Sequence, residues 1–157
     1  MEKREKIESF LIAVMIPLFI GFLAGALTSD AQQIYKTMEK PSFSPPAVVF
    51  PIVWTILYIL MGESYYIIIE SESERKEKAV KIYFTQLLLN FFWSIIFFNV
   101  QNYLAAFIWI LFLIAAVIAM IVVFFHIKKL AAYLQVPYLI WILFASVLNL
   151  AVYRLNR

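Results

Sequence analysis

Cysteine is absent from the chain. No disulfide, thiolate metal site or thiol nucleophile can form, and the redox state of the compartment leaves no mark on the sequence. Histidine occurs once, at His126, and no carboxylates cluster with it, so a metal centre has no ligand set. There is no glycine-rich phosphate loop, no Ser/His/Asp set and no Cys/His pair. Hydrolytic, nucleotide-dependent and metal-dependent chemistries therefore lack the side chains they need. Charge is also scarce. Only 15% of the 157 residues are charged, while 64% are hydrophobic and 18% aromatic. A soluble domain of this size is nearer half apolar and needs more charge to cover its surface.

The uncharged residues come in blocks. Residues 10–28, 82–100, 103–125 and 130–153 contain no Asp, Glu, Lys or Arg, and residues 47–69 contain one, Glu63. Each block has about the 20 residues that cross roughly 30 Å of hydrocarbon as a helix. A soluble fold would have to bury all five on every side. The chain is therefore expected to be an all-α integral membrane bundle of five transmembrane helices in a single domain, at about 8–28, 47–69, 80–100, 103–126 and 130–153. No charge interrupts the stretch between Lys81 and Lys128, which is too long for one crossing. Its polar cluster, Asn99-Val-Gln-Asn102, marks a tight turn between antiparallel helices.

The amino terminus, basic and then apolar, has some features of a signal peptide. Its long apolar run and the acidic Glu2, Glu5 and Glu8 favour a retained first helix. Nine lysines and arginines fall on the side of the amino terminus and the second and fourth loops, against four on the other side. The positive-inside bias places the amino terminus in the cytoplasm and the carboxyl terminus outside the cell membrane. The same bias accounts for the net charge of +3 and gives no reason to invoke nucleic acid.

Residues 29–46 form the longest connection, with a short helical signal in Ala31-Gln-Gln-Ile-Tyr-Lys36. Pro41, Pro45 and Pro46 cannot sit in a helix interior. They stiffen a lid that runs directly into the apolar helix carrying Trp54, Thr55 and Tyr58. Residues 70–79 are a solvated mixed-charge loop. Pro17 lies mid-helix and is expected to bend the first span.

Amides inside hydrocarbon usually face the bundle interior. Gln86, Asn90, Trp93, Ser94 and Phe97 share one helix face by their spacing, as do Trp54, Tyr58, Met61 and Gly62, and as do Trp141, Ala145, Leu148 and Asn149. If the three faces converge under the lid, they line an apolar pocket with a few oriented polar groups. Buried amides also hydrogen-bond between packed helices, and Trp and Tyr also anchor span ends at the interface. Spacing alone does not displace that plainer reading. Glu63 lies about 140° around its helix from Tyr58, so it is off the aromatic face and close enough to the inner end to reach water. His126 reads as an interfacial residue rather than a haem ligand. Gly21-Phe-Leu-Ala-Gly25 lets helix backbones approach closely, within the bundle or between subunits.

Four segments together resemble a known family: Lys40-Pro-Ser-Phe-Ser-Pro-Pro46, Trp54-Thr-Ile-Leu-Tyr-Ile-Leu-Met-Gly62, Gln86-Leu-Leu-Leu-Asn-Phe-Phe-Trp93 with Phe97-Phe98, and Pro137-Tyr-Leu-Ile-Trp-Ile-Leu-Phe-Ala145 continuing to Leu148-Asn149. The chain is similar to the tryptophan-rich sensory protein family, also called the translocator protein or peripheral-type benzodiazepine receptor family (TspO/MBR). The resemblance implies a five-helix membrane bundle, often a homodimer, that acts as a receptor or transporter of porphyrins and other flat hydrophobic ligands and needs no cofactor. It implies a ligand pocket beneath the first loop formed by Trp54, Asn90, Trp93, Trp141, Ala145 and Leu148. Tyr58, on the aromatic face, and Phe43 and Pro45, in the lid, complete the expected ligand-binding set. Some bacterial members degrade protoporphyrin in light, which would make Trp54 and Trp141 catalytic. The chain departs from the family at Phe43, where Trp is common, and at Glu63, where relatives are usually uncharged. An acidic residue often found early in the fourth helix is missing. A sterol-recognition pattern fits residues 150–157 only formally.

Overall fold

The computed structural model describes residues 2–157 as an all-helical bundle. Its helices are α1 (Lys3–Leu27), α2 (Ala31–Thr37), α3 (Val49–Ile69), α4 (Lys76–Ser94), α5 (Tyr103–Phe125), α6 (Lys129–Leu134) and α7 (Val136–Leu155). Five stretches are long and apolar enough to cross a membrane: α1, α3, α4 with its extension to Val100, α5, and α6 joined to α7. They alternate in direction. One end of the bundle carries the amino terminus, and the other, the lid end, carries α2 and the proline loop.

Many large apolar side chains are exposed on the outer faces, among them Ile12, Phe22, Leu88, Phe112, Ile140 and Val147. In water such a belt would drive aggregation. Against acyl chains it is the surface a membrane helix needs, because nearly all of its main-chain groups are bonded within the helix.

α1 packs along α3, and α5 packs against α4, α6 and α7. Gly62 sets the α1–α3 crossing: a Cβ there would collide with Val14 Cα and Ala13 O. Gly21, farther toward the lid end, faces the Tyr58 ring, which a Cβ would also strike. At Gly25 an added Cβ would meet nothing within 4 Å. The backbones therefore touch near the middle of the bundle and open toward the lid. The Gly21–Gly25 motif thus serves packing inside the bundle at its first glycine and leaves space at its second.

α1 starts five residues earlier than the sequence suggests, held by a capping box of Glu2 and Glu5, and it stays helical through the buried Pro17. α4 begins at Lys76, inside the expected charged loop, because Lys76 Nζ bonds the Ile69 carbonyl at 2.9 Å and folds the loop back. Beyond Ser94 the same helix widens to a π-helical turn over Ile95–Val100. The turn that follows is where the polar cluster places it: Gln101 takes φ 54° and the Asn102 side chain accepts from Ala105 N at 3.0 Å.

Candidate functional site

At the lid end the splay of α1 leaves a cavity of about 390 Å³. Four membrane helices and the lid enclose it. α3 contributes Phe50, Trp54, Thr55 and Tyr58; α4 and its π-helical extension contribute Trp93, Ser94, Phe97 and Phe98; α7 contributes Ala145, Leu148, Asn149 and Val152. The fourth wall is α1, through Leu18, Gly21, Phe22, Gly25 and Thr28, and Tyr35 and Ala47 close the top. No charged or histidine side chain is among the lining residues.

The roof is a clipped strap. Tyr35 donates its hydroxyl to Pro45 O at 2.6 Å, and Gln32 donates to Ala47 O at 3.0 Å. Burial raises the Tyr35 hydroxyl above the usual phenol range, so it remains a protonated donor at neutral pH. Lys40 Nζ donates to Tyr35 O at 2.7 Å and Met38 O at 3.3 Å while lying 5.0 Å over the Tyr35 ring. Asn156, at the end of α7, holds the strap from the far side: its amide donates to Glu39 O at 2.8 Å and accepts from Glu39 N at 3.2 Å.

Much of the polarity of the walls is already spent. Trp93 Nε1 donates to Asn149 Oδ1 at 3.1 Å, and Asn149 donates onward to Tyr103 O at 2.9 Å. Thr28 and Thr55 give their protons to Ala24 O and Pro51 O, both at 2.7 Å. Tyr58 donates to Asn90 Oδ1 at 3.1 Å. A ligand therefore meets mainly ring faces, methyl groups and oxygen lone pairs, as befits an apolar guest. Trp54 stacks on Tyr58 with centroids 5.5 Å apart and planes at 28°, presenting a flat aromatic wall.

Of the residues expected to hold a ligand, Trp54, Tyr58, Trp93, Ala145 and Leu148 line the cavity and four others do not. Asn90 is only 2% exposed and is bonded to Tyr58 and, at 2.8 Å, to Tyr138, so it positions the Tyr58 ring instead of reaching a ligand. Trp141 sits one turn deeper than Ala145. At that level Trp54 and Tyr138 already fill the interior, with centroids 6.1 Å apart, and the indole lies in a second, apolar groove between α3 and α7. It packs edge to face on Phe50, a lining residue, at 5.7 Å. Trp54 thus lines the cavity while Trp141 faces the neighbouring groove. Pro45 serves the roof by accepting from Tyr35, and Phe43 is half exposed, packed edge-on against Phe144 at 6.3 Å.

The α1 wall was missed because Gly21 and Gly25 read as a packing motif. Gly25, which leaves space rather than filling it, was the available signal. Glu63 is half-buried outside the cavity lining, and His126 is exposed with Nδ1 2.8 Å from Val122 O.

A five-helix membrane bundle with a proline strap over an aromatic cavity has known counterparts. Residues 13–154 match the model of the TspO/MBR family. The chain is 45% identical over 145 residues to the tryptophan-rich protein TspO of Archaeoglobus fulgidus, covering 92% of this chain and 94% of that one. It is 34% identical over 153 residues to the human translocator protein, covering 94% and 88%. It is 35% identical over 147 residues to the tryptophan-rich sensory protein of Cereibacter sphaeroides, covering 88% and 91%. These matches run through the lid, the cavity walls and the helices between them, and the chain belongs to the TspO/MBR family.

Proposed function

We propose that the lid-end cavity binds flat hydrophobic ligands of the porphyrin class and that the protein senses, sequesters or moves them in the membrane. The observation that carries this reading is the cavity itself: about 390 Å³, without a charged wall residue, flanked by Trp54, Tyr58, Trp93 and Phe97. That volume lies within the roughly 300–1,000 Å³ typical of small-molecule sites. Ring stacking adds only about 0.5–1.5 kcal/mol per pair beyond burial, so affinity requires several rings at once, which these walls supply. Relatives named for translocation and sensing are consistent with movement or detection of a ligand. The charge bias supports a lid that faces away from the cytoplasm.

Protoporphyrin added to protein in lipid nanodiscs is expected to quench tryptophan fluorescence saturably and to raise the melting midpoint, which an aliphatic compound of similar size does not. Quenching that is linear and unsaturable, with no shift in the midpoint, would remove the proposal. A carboxyl-terminal reporter active only in the cytoplasm is expected to stay silent, and a bright one would reverse the orientation.

A further inference from the structure

Below the cavity, the amino-terminal half of the bundle contains polar side chains with no use in the site above. Tyr83, Gln86 and Gln135 are each 0% exposed. Four of their polar atoms have no hydrogen-bond partner: the Tyr83 hydroxyl, Gln86 Nε2, and both Nε2 and Oε1 of Gln135. Buried polar atoms are nearly always bonded, and in hydrocarbon an unbonded one is especially unfavourable.

Helical register brings the four atoms toward one neighbourhood. Tyr138 donates its hydroxyl to Gln86 Oε1 at 2.8 Å, tying α7 to α4. Both helices run from the amino-terminal end toward the lid. Tyr83 lies three residues before Gln86, and Gln135 lies three before Tyr138, with its carbonyl already in the helical bond to Leu139 N at 3.1 Å. Stepping back one turn along each parallel helix from the Gln86–Tyr138 bond brings Tyr83 and Gln135 to a common level. Tyr65 stacks on one face of Tyr83 at 4.5 Å and Phe124 lies parallel at 6.5 Å, which shields the group from lipid.

We propose that Tyr83, Gln86 and Gln135 form a buried water site between α4 and α7. The group mixes donors and acceptors: N–H of Gln86 and Gln135, O–H and a lone pair of Tyr83, and the carbonyl of Gln135. Water matches such a set, because each molecule donates twice and accepts twice, whereas an ion needs partners of one kind.

The site also sets the polarity of the floor above it. A water that accepts from Gln86 Nε2 leaves Gln86 Oε1 for Tyr138. Tyr138 then accepts from Asn90, and Asn90 turns its oxygen to Tyr58. Tyr58 thus presents the cavity with a lone pair and not a proton. If the cavity binds as proposed above, this floor favours a ligand with an N–H or O–H donor.

The test does not depend on any ligand. A structure of the full chain in lipid, at a resolution that shows ordered solvent, is expected to have density 2.7–3.2 Å from a Gln135 amide atom and from Tyr83 Oη or Gln86 Nε2. A dry site in which these side chains bond one another, or density with the coordination of an ion, overturns the proposal. Melting of Tyr83→Phe and Gln135→Leu provides a second readout with opposite signs. If water is present, each variant strands its partners and lowers the midpoint by about 3 °C or more. If the site is dry and the groups stay unbonded, removing one raises the midpoint or leaves it unchanged, and a dry network of side-chain bonds is recognised by the absence of solvent density.

Discussion

The two ends of the bundle handle polarity and space in opposite ways. At the lid end there is room, and the polar groups that face it are largely committed: Trp93 to Asn149, Thr28 and Thr55 to their own helices, Tyr35 to Pro45. Below the cavity the helices close, with Gly62 against the Val14 backbone at mid-helix, yet Tyr83, Gln86 and Gln135 keep unbonded atoms. One chain thus builds an apolar receptacle above a polar floor. The contrast arises from a single splayed helix. α1 touches α3 at Gly62 and is free of it at Gly25, and the opening between them is the cavity.

Changes at these contact points probe the contrast directly. The largest effect is expected at the closed end. Gly62→Ala drives a methyl group into main-chain atoms that have no rotamer by which to yield, and should destabilise by about 3 kcal/mol, read as a fall in melting midpoint and in recovery of monodisperse protein. A variant as stable as wild type would mean that α1 is not seated there.

Next comes the aromatic wall. Trp54→Ala removes the ring stacked on Tyr58 and is expected to weaken porphyrin binding about tenfold. Trp141→Ala, which lies behind Phe50, should change it by less than about threefold. The reverse order, measured by fluorescence or absorbance titration, would relocate the site to the α3–α7 groove.

The strap should respond more weakly. Asn156→Ala deletes a two-point clip and should cost about 1 kcal/mol, appearing as faster amide exchange across residues 39–44 with the bundle core unchanged. The smallest expected effect is of pH. The Tyr35 pKa is raised above its usual value of 10.0 by burial, so its contribution is complete below pH 10 and is lost as pH rises through the higher folded value. Lid exchange rates, after correction for intrinsic chemistry, should therefore be flat from neutrality to pH 10 and rise as the pH climbs from there through the folded value.

Much of this was legible beforehand, and the reasons for the misses are specific. Runs without charge reveal membrane helices because the penalty for charge in lipid is steep. The lid was legible because proline leaves few conformations. Helical spacing identified the correct faces of α3, α4 and α7, but it reports angle and not depth. Trp141 is on the face of Ala145 yet one turn too deep to meet the cavity. Asn90 looked like a ligand group because the partner that claims it, Tyr138, is 48 residues away. The π-helical turn at Ile95–Val100, which places Phe97 and Phe98 on the wall, has no simple signature in apolar residues. Gly25 was visible as one of a pair, but empty space depends on how α1 leans, and no local pattern encodes that.

The central claim is that this empty space receives the ligand. Gly25→Phe tests it most directly, because the position lines the cavity and a Cβ there meets nothing within 4 Å. Porphyrin titration of this variant in nanodiscs, with its melting midpoint measured alongside, should show wild-type stability without ligand and affinity reduced about tenfold or more, given how strongly overfilling a closed site opposes binding. Wild-type affinity in a variant of wild-type stability would contradict the account and place the ligand elsewhere.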